Sequence, residues 1–102
     1  MTADFDINNL NKVFESRIRL GVMSVLSVNE EADFNLLKEL LKVTDGNLAS
    51  HISALEKVNY VQISKEFVGK KPRTTYKITD EGKSAFQQHL SSLEKMVNVI
   101  NK

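Results

Sequence analysis

A chain of 102 residues, 41% hydrophobic and 26% charged, has the size and balance of one globular domain. The absence of cysteine excludes a disulfide framework, a thiolate metal site and a cysteine nucleophile. The net charge of +1 hides an asymmetry: residues 1–56 carry five bases against nine acids, residues 57–77 carry six bases against Glu66 alone, and residues 78–102 balance.

From the N-terminus, Met1-Thr2-Ala3-Asp4 lacks the basic-then-apolar pattern of a secretory leader, and no apolar run approaches the roughly 20 residues that cross a bilayer. A cytoplasmic location without membrane contact is expected. Asp6 is placed to cap a short turn whose apolar members are Ile7, Leu10, Val13 and Phe14. Ile18, Val22, Val25 and Leu26, widened by Leu20 and Met23, predict a largely buried first helix over 15–28. Residues 29–33 are polar and aperiodic and read as a loop. Phe34, Leu36, Leu37, Leu40 and Leu41 predict a second helix, with Phe34 alternatively in a one-residue bridge to the hairpin.

Val43-Thr44-Asp45-Gly46 carries helix-entry chemistry. In the third helix that follows, about 45–58, Leu48, Ile52, Leu55 and Val58 form an apolar stripe; Asn47, Ser50, His51, Ala54 and Lys57 form a polar and small opposite face. Asn59 suits a left-handed cap. Val61, Ile63, Lys65 and Phe67, and later Tyr76 and Ile78, alternate at strand spacing around a cationic tip, Gly69-Lys70-Lys71-Pro72-Arg73. Because Gly69 supplies a turn and Pro72 lacks a backbone donor, this tip is expected to protrude rather than pair. Thr79-Asp80-Glu81 starts a last helix over about 79–100. Its Phe86, Leu90, Leu93, Val97 and Ile100 repeat at heptad spacing, open to two readings: a dimerisation seam, or packing on the chain's own core.

The strings RIRLGVMSVL (17–26), TDGNLASHISALEKVNY (44–60) and GKKPRTTYKITDEG (69–82) resemble the first helix, recognition helix and wing of small winged helix-turn-helix regulators similar to the MarR and ArsR types. The resemblance covers most of the chain from Phe5 to about Ser92. It implies a mainly α fold with a small β-hairpin (α+β), and one winged domain over 1–102 with an added C-terminal helix. It also implies a homodimeric transcription factor on operator DNA. Asn59 stands where such proteins commonly have glycine, and asparagine is the next best residue for that backbone conformation. The cysteine-rich metal sites of many ArsR-type proteins do not carry over.

Several side chains then become candidates for DNA contact. A major groove about 12 Å wide admits one helix, and sequence is read by side chains on its exposed turns. Asn47 can pair with an adenine edge, Ser50 and His51 can donate to bases or phosphates, and Ser53 and Ala54 leave room for close approach. Asn47 could instead be an ordinary first-turn polar residue and Ser50 a solvated one, but given the fold DNA contact is favoured for both; His51 is equally explicable as a structural bystander beside the apolar stripe. Lys70, Lys71 and Arg73 repel one another on a turn, and a polyanion offsets that repulsion. An arginine at a wing tip can also enter the minor groove. Lys57 and Lys65 fit peripheral phosphate contacts. Thr74 and Thr75 add hydroxyls that β-propensity explains as well. Arg17 and Arg19 fit a surface or intramolecular ion pair. Tyr76 is assigned to the core beneath the hairpin with its hydroxyl at the rim, and Phe5, Phe14, Phe34, Phe67 and Phe86 to packing.

An enzyme is disfavoured. His51 and His89 lie on different helices without acidic spacing for a metal site, and there is no glycine-rich phosphate loop or nucleophile turn. No catalytic residue, cofactor or metal is assigned, and an effector is left open. Repression is expected on size alone, since a small dimer can act by occupying a promoter, and activation is left open. The alternative is a winged-helix protein adaptor that does not bind DNA.

Overall fold

The computed structural model describes residues 6–100, and of Ile100 only the backbone. Two short 3-10 turns, Ile7–Asn9 and Lys12–Phe14, lead into α1 (Arg17–Val28), β1 (Ala32–Asp33), α2 (Phe34–Leu41) and α3 (Asp45–Lys57). The hairpin strands β2 (Val61–Val68) and β3 (Lys71–Ile78) follow, and then α4 (Asp80–Ile100). This is the winged helix-turn-helix order with an added C-terminal helix.

Local chemistry sets the boundaries. Asp6 and Asn11 cap the two 3-10 turns, accepting from the amides of Asn8 and Val13. The first helix begins at Arg17 rather than 15 because Ser16 takes the cap, its Oγ accepting from Arg19 N at 3.3 Å. Asp33 caps α2 through Leu36 N, and Thr44 caps α3 through Asn47 N. Between α2 and α3 only Lys42, Val43 and Thr44 remain, with Lys42 at φ 55° ending the helix in the left-handed region. Asn59 adopts the expected left-handed conformation, φ 62°.

Phe14, Val22, Met23, Leu26, Leu37, Leu48, Leu55 and Val61 are almost wholly enclosed, so α1, α2, α3 and the base of the hairpin share one core. Phe86 joins it from α4, edge-on to Phe14 at 5.6 Å between ring centroids. Ile7, expected among the apolar members of the first turn, is instead exposed, and Val58, expected on the buried stripe of α3, is partly exposed at its end.

Three expectations are corrected. Residues 29–33 are not wholly loop: Ala32 and Asp33 pair antiparallel with Tyr76 and Thr75, giving a three-stranded sheet in the order β1-β3-β2. The bridge therefore precedes Phe34, which opens α2; two residues paired through tertiary contact leave no periodic signal. The cationic tip does pair. The ladder runs to Val68↔Lys71, leaving Gly69-Lys70 as the turn, and Gly69 at φ 68° occupies the first position of a two-residue loop, where a type II′ turn requires it. Pro72 faces Phe67 one step from the pair that closes the turn, where antiparallel geometry aims its nitrogen away from β2 and no ladder bond is lost. Phe67, assigned to packing, is 75% exposed, because the outer half of the hairpin extends past the body of the molecule. Phe14 and Phe86 are core residues as expected and Phe34 is half-buried; Phe5 lies outside the described residues.

Candidate nucleic-acid interface

The third helix is held by one face and offers the other. Leu48, Ile52 and Leu55 are sunk in the core, while Gly46, Asn47, Ala49, Ser50, Ser53, Glu56 and Lys57 are exposed. At 100° per residue, Gly46, Ala49, Ser50, Ser53 and Lys57 fall on one stripe opposite the buried one. Of the residues singled out from sequence, Asn47, Ser50, Ser53 and Lys57 are thus presented to solvent. His51 and Ala54 are half-buried on the flank. Gly46, Ala49 and Glu56, not singled out from sequence, are exposed with them; Gly46, Ala49, Ser53 and Glu56 stand at i, i+3, i+7 and i+10, a helical spacing that was the available signal. A β-carbon at Gly46 would meet nothing within 4 Å, so the start of the helix is a bare surface against which another backbone can lie. Lys38 on α2 pairs with Asp45 at 2.7 Å, tying the two helices together at this end.

His51 is tied into the fold. Its Nδ1 accepts from Arg19 Nε at 3.0 Å, and the same guanidinium donates through Nη1 to the Val13 carbonyl at 3.3 Å. Arg19 was expected in an ion pair or at the surface; it instead joins α1 to α3 through an imidazole. Arg17 is exposed.

In the wing, cross-strand partners share a face. One face carries Lys65 opposite Thr74 and Phe67 opposite Pro72; the other carries Glu66 opposite Arg73 and Val68 opposite Lys71, with Lys70 in the turn. The cations are therefore split between two faces. Lys65, Lys70, Lys71 and Arg73 are exposed and Thr74 is half-buried. Arg73 lies 3.6 Å from Glu31 and 4.0 Å from Glu66, so part of its charge is spent within the protein. Thr75 is fully buried between Ser64 and Asp33 and cannot contribute a hydroxyl to DNA; its Oγ1 is the one enclosed side-chain polar atom without a partner among the described residues. Tyr76 is buried as expected. Burial, reinforced by the Glu56 carboxylate, raises its phenol pKa.

The predicted seam of α4 divides. Phe86 belongs to the core, Leu93 is half-buried, and Leu90 and Val97 are 45% and 49% exposed; the Ile100 side chain lies outside the described residues. The face that packs inward is Gly82, Phe86, His89 and Ser92. His89 accepts from Asn11 N at 3.0 Å through Nδ1, while Asn11 Nδ2 donates to the Tyr60 hydroxyl at 3.0 Å. Burial lowers the His89 pKa, and the Glu15 carboxylate opposes that shift. No helix among the described residues is long and apolar enough to cross a membrane.

Residues 18–97 match the family model of the winged helix DNA-binding domain. An uncharacterized protein of Methanocaldococcus jannaschii is 37% identical over 79 residues, covering 78% of this chain and 86% of the relative. The transcriptional regulator homologue of Pyrococcus horikoshii OT3 is 33% identical and superposes with a TM-score of 0.78, covering 94% of this chain and 100% of that one. A MarR-family regulator of Enterococcus faecalis V583, 24% identical, shares the fold with a TM-score of 0.72 over 87% of this chain and 79% of its own. The chain belongs to the winged helix DNA-binding domain family and has the fold of MarR-type transcriptional regulators.

Proposed function

We propose that this DNA-binding regulator is a homodimeric, cytoplasmic repressor that reads a palindromic site. All 102 residues form one functional domain. The α3 helix enters the major groove, with Asn47, Ser50, His51, Ser53, Ala54 and Lys57 toward DNA. The β2–β3 wing lies along the backbone or in the minor groove, with Lys65, Lys70, Lys71, Arg73 and Thr74 in contact. The observation that carries this reading is the division of α3: three large side chains lock it into the core, and the opposite stripe is small, polar and capped at its start. Such a helix can be pressed into a groove without losing its seat.

Dimerisation is assigned to α4. Leu90 and Val97 are large apolar groups left exposed on a helix whose second half projects from the core, and pairing would cover them. Two α3 helices would then meet successive major grooves about 34 Å apart.

Selection of bound duplexes from a random pool tests this. The expected result is a palindromic consensus, relaxed at one position per half-site by Asn47→Ala, with the Leu90→Glu/Val97→Glu variant sedimenting as a monomer and binding weakly. Failure of the parent to enrich any duplex would leave the protein-adaptor reading instead.

A further inference from the structure

Arg19 leaves the first turn of α1 and spends two of its five N–H groups inside the protein, one on His51 Nδ1 and one on the Val13 carbonyl. The two bonds point the planar guanidinium in one direction, since Val13 is the middle residue of the short turn whose Phe14 is anchored in the core. An imidazole that accepts at Nδ1 carries its hydrogen on Nε2. The His51 Nε2 has no hydrogen-bond partner among the described residues, and it is not an enclosed orphan atom, so it keeps contact with solvent at the flank of the helix. The ring stands between Asn47 and Ala54 on the same flank of α3, one helical turn from each.

We propose that Arg19 is the positioning residue for His51: it fixes the imidazole as the Nε2–H tautomer and aims that single donor at a hydrogen-bond acceptor on a base edge in the major groove. The inference rests on the proposed placement of α3 in DNA. A free histidine on a helix flank offers a donor or an acceptor at Nε2 according to tautomer, and so discriminates poorly between bases. Held by Arg19, it offers only a donor. That favours the acceptors in the groove, guanine N7 and O6, adenine N7 and thymine O4, over the amino group of cytosine. Arginine suits the task where lysine does not, because its rigid fork can serve His51 and Val13 together while keeping three N–H groups free.

The test combines two readouts on the whole chain. In the free protein, imidazole nitrogen chemical shifts report the tautomer of His51: the parent should show Nε2–H alone, and Arg19→Met, which keeps the length of the stem, a mixture. In selection from random duplexes, Arg19→Met and His51→Ala should lose preference at the same base pair of each half-site, by about threefold to tenfold, the worth of one hydrogen bond. The double variant should lose no more than His51→Ala alone. If Arg19→Met does not fold, Arg19→Lys serves with the same readouts, with a partial tautomer mixture expected. An unchanged tautomer, a preference lost in His51→Ala only, or a uniform loss on every duplex, as from a phosphate contact, overturns the proposal. A parent that enriches no duplex overturns the DNA placement and this inference with it, whereas a selective parent beside unaffected variants overturns only the inference.

Discussion

Replacing Lys70 and Lys71 by alanine tests whether the wing meets phosphate, and the structure sets the size of the effect. Neither lysine has a carboxylate within 4.0 Å among the described residues, so both charges are available to a polyanion. Each phosphate contact contributes about 0.9 to the slope of log affinity against log salt; two lost contacts flatten it by about 1.8 per subunit, or roughly 12-fold in affinity across a fourfold change in salt. Fluorescence anisotropy with a selected duplex between about 50 and 200 mM salt reads this directly. Both side chains are exposed, so the fold should be within about 0.5 kcal/mol of the parent.

Arg73 should behave differently from the lysines. Its guanidinium lies between Glu31 and Glu66, and to reach DNA it must leave partners that hold it by less than about 1 kcal/mol at this exposed site. Glu66→Gln releases it from one of them and should tighten binding, by no more than about fivefold on that figure. An unaltered salt slope in the double-lysine variant, with folding intact, would remove the wing from the interface, whatever α3 does.

Three other variants probe how the domain is held together. Gly82→Ala drives a methyl group into the Tyr60 carbonyl, a backbone atom that cannot swing away. It should cost about 3 kcal/mol or more, which at roughly 4–8 °C per kcal/mol is a fall in Tm of at least about 12 °C. At Gly21 the atoms nearest to such a methyl all belong to the flexible Leu41 side chain, so Gly21→Ala should cost clearly less in the same thermal melts. His89 predicts the acid response. Its folded pKa lies below that of the unfolded chain, so its contribution to stability is complete above about pH 6.5 and is lost as pH falls through the folded value. Urea titrations at neutral pH and well below it should show that loss in the parent and a smaller one in His89→Gln, whose side-chain oxygen can still accept from Asn11.

Helix content and order were legible because the apolar stripes of α1, α2 and α3 are regular and Thr44 marks the start of α3, whereas the caps Ser16 and Asp33 show themselves only in the structure. The β1 strand was not, since two residues hold no period and their pairing with Tyr76 and Thr75 is a tertiary fact. Pairing at the hairpin tip is not legible in the sequence because Pro72 signals a break only where its nitrogen faces a partner, and strand register decides that. For the candidate site, the exposed stripe of α3 follows from the buried one by geometry, so Asn47, Ser50, Ser53 and Lys57 could be anticipated. The Arg19–His51 bond joins residues 32 apart in sequence and depends on how α1 crosses α3, for which no spacing rule exists. The partial pairing of Arg73 was hidden for the same reason: Glu31 reaches it only through the β1 pairing.

The turn that ends α3 is also the seat of α4, and this has a consequence for how the two would cooperate on DNA. Thr79 accepts from Gly82 N at 2.8 Å, capping α4, while its hydroxyl donates to the Asn59 carbonyl at 2.6 Å and its amide to the Tyr60 carbonyl at 3.1 Å. Tyr60 N in turn donates to Leu55 of α3 at 2.9 Å, and the Tyr60 hydroxyl is tied through Asn11 to His89. The angle between α3 and α4 is thus fixed by bonds on both sides of one tyrosine. If α4 pairs two subunits, that angle sets the separation of the two reading helices. Thr79→Val keeps the shape and β-branching but removes the hydroxyl; it should cost about 1 kcal/mol as a lost cap and free the angle. Affinity for the selected palindrome should then fall, while half-sites moved apart by one or two base pairs, about the smallest step the groove spacing allows, are tolerated better than by the parent. Base preference within each half-site should not change, because α3 itself is untouched. A variant as strict about spacing as the parent would show that the separation is governed elsewhere, and that the Tyr60 clamp serves folding only.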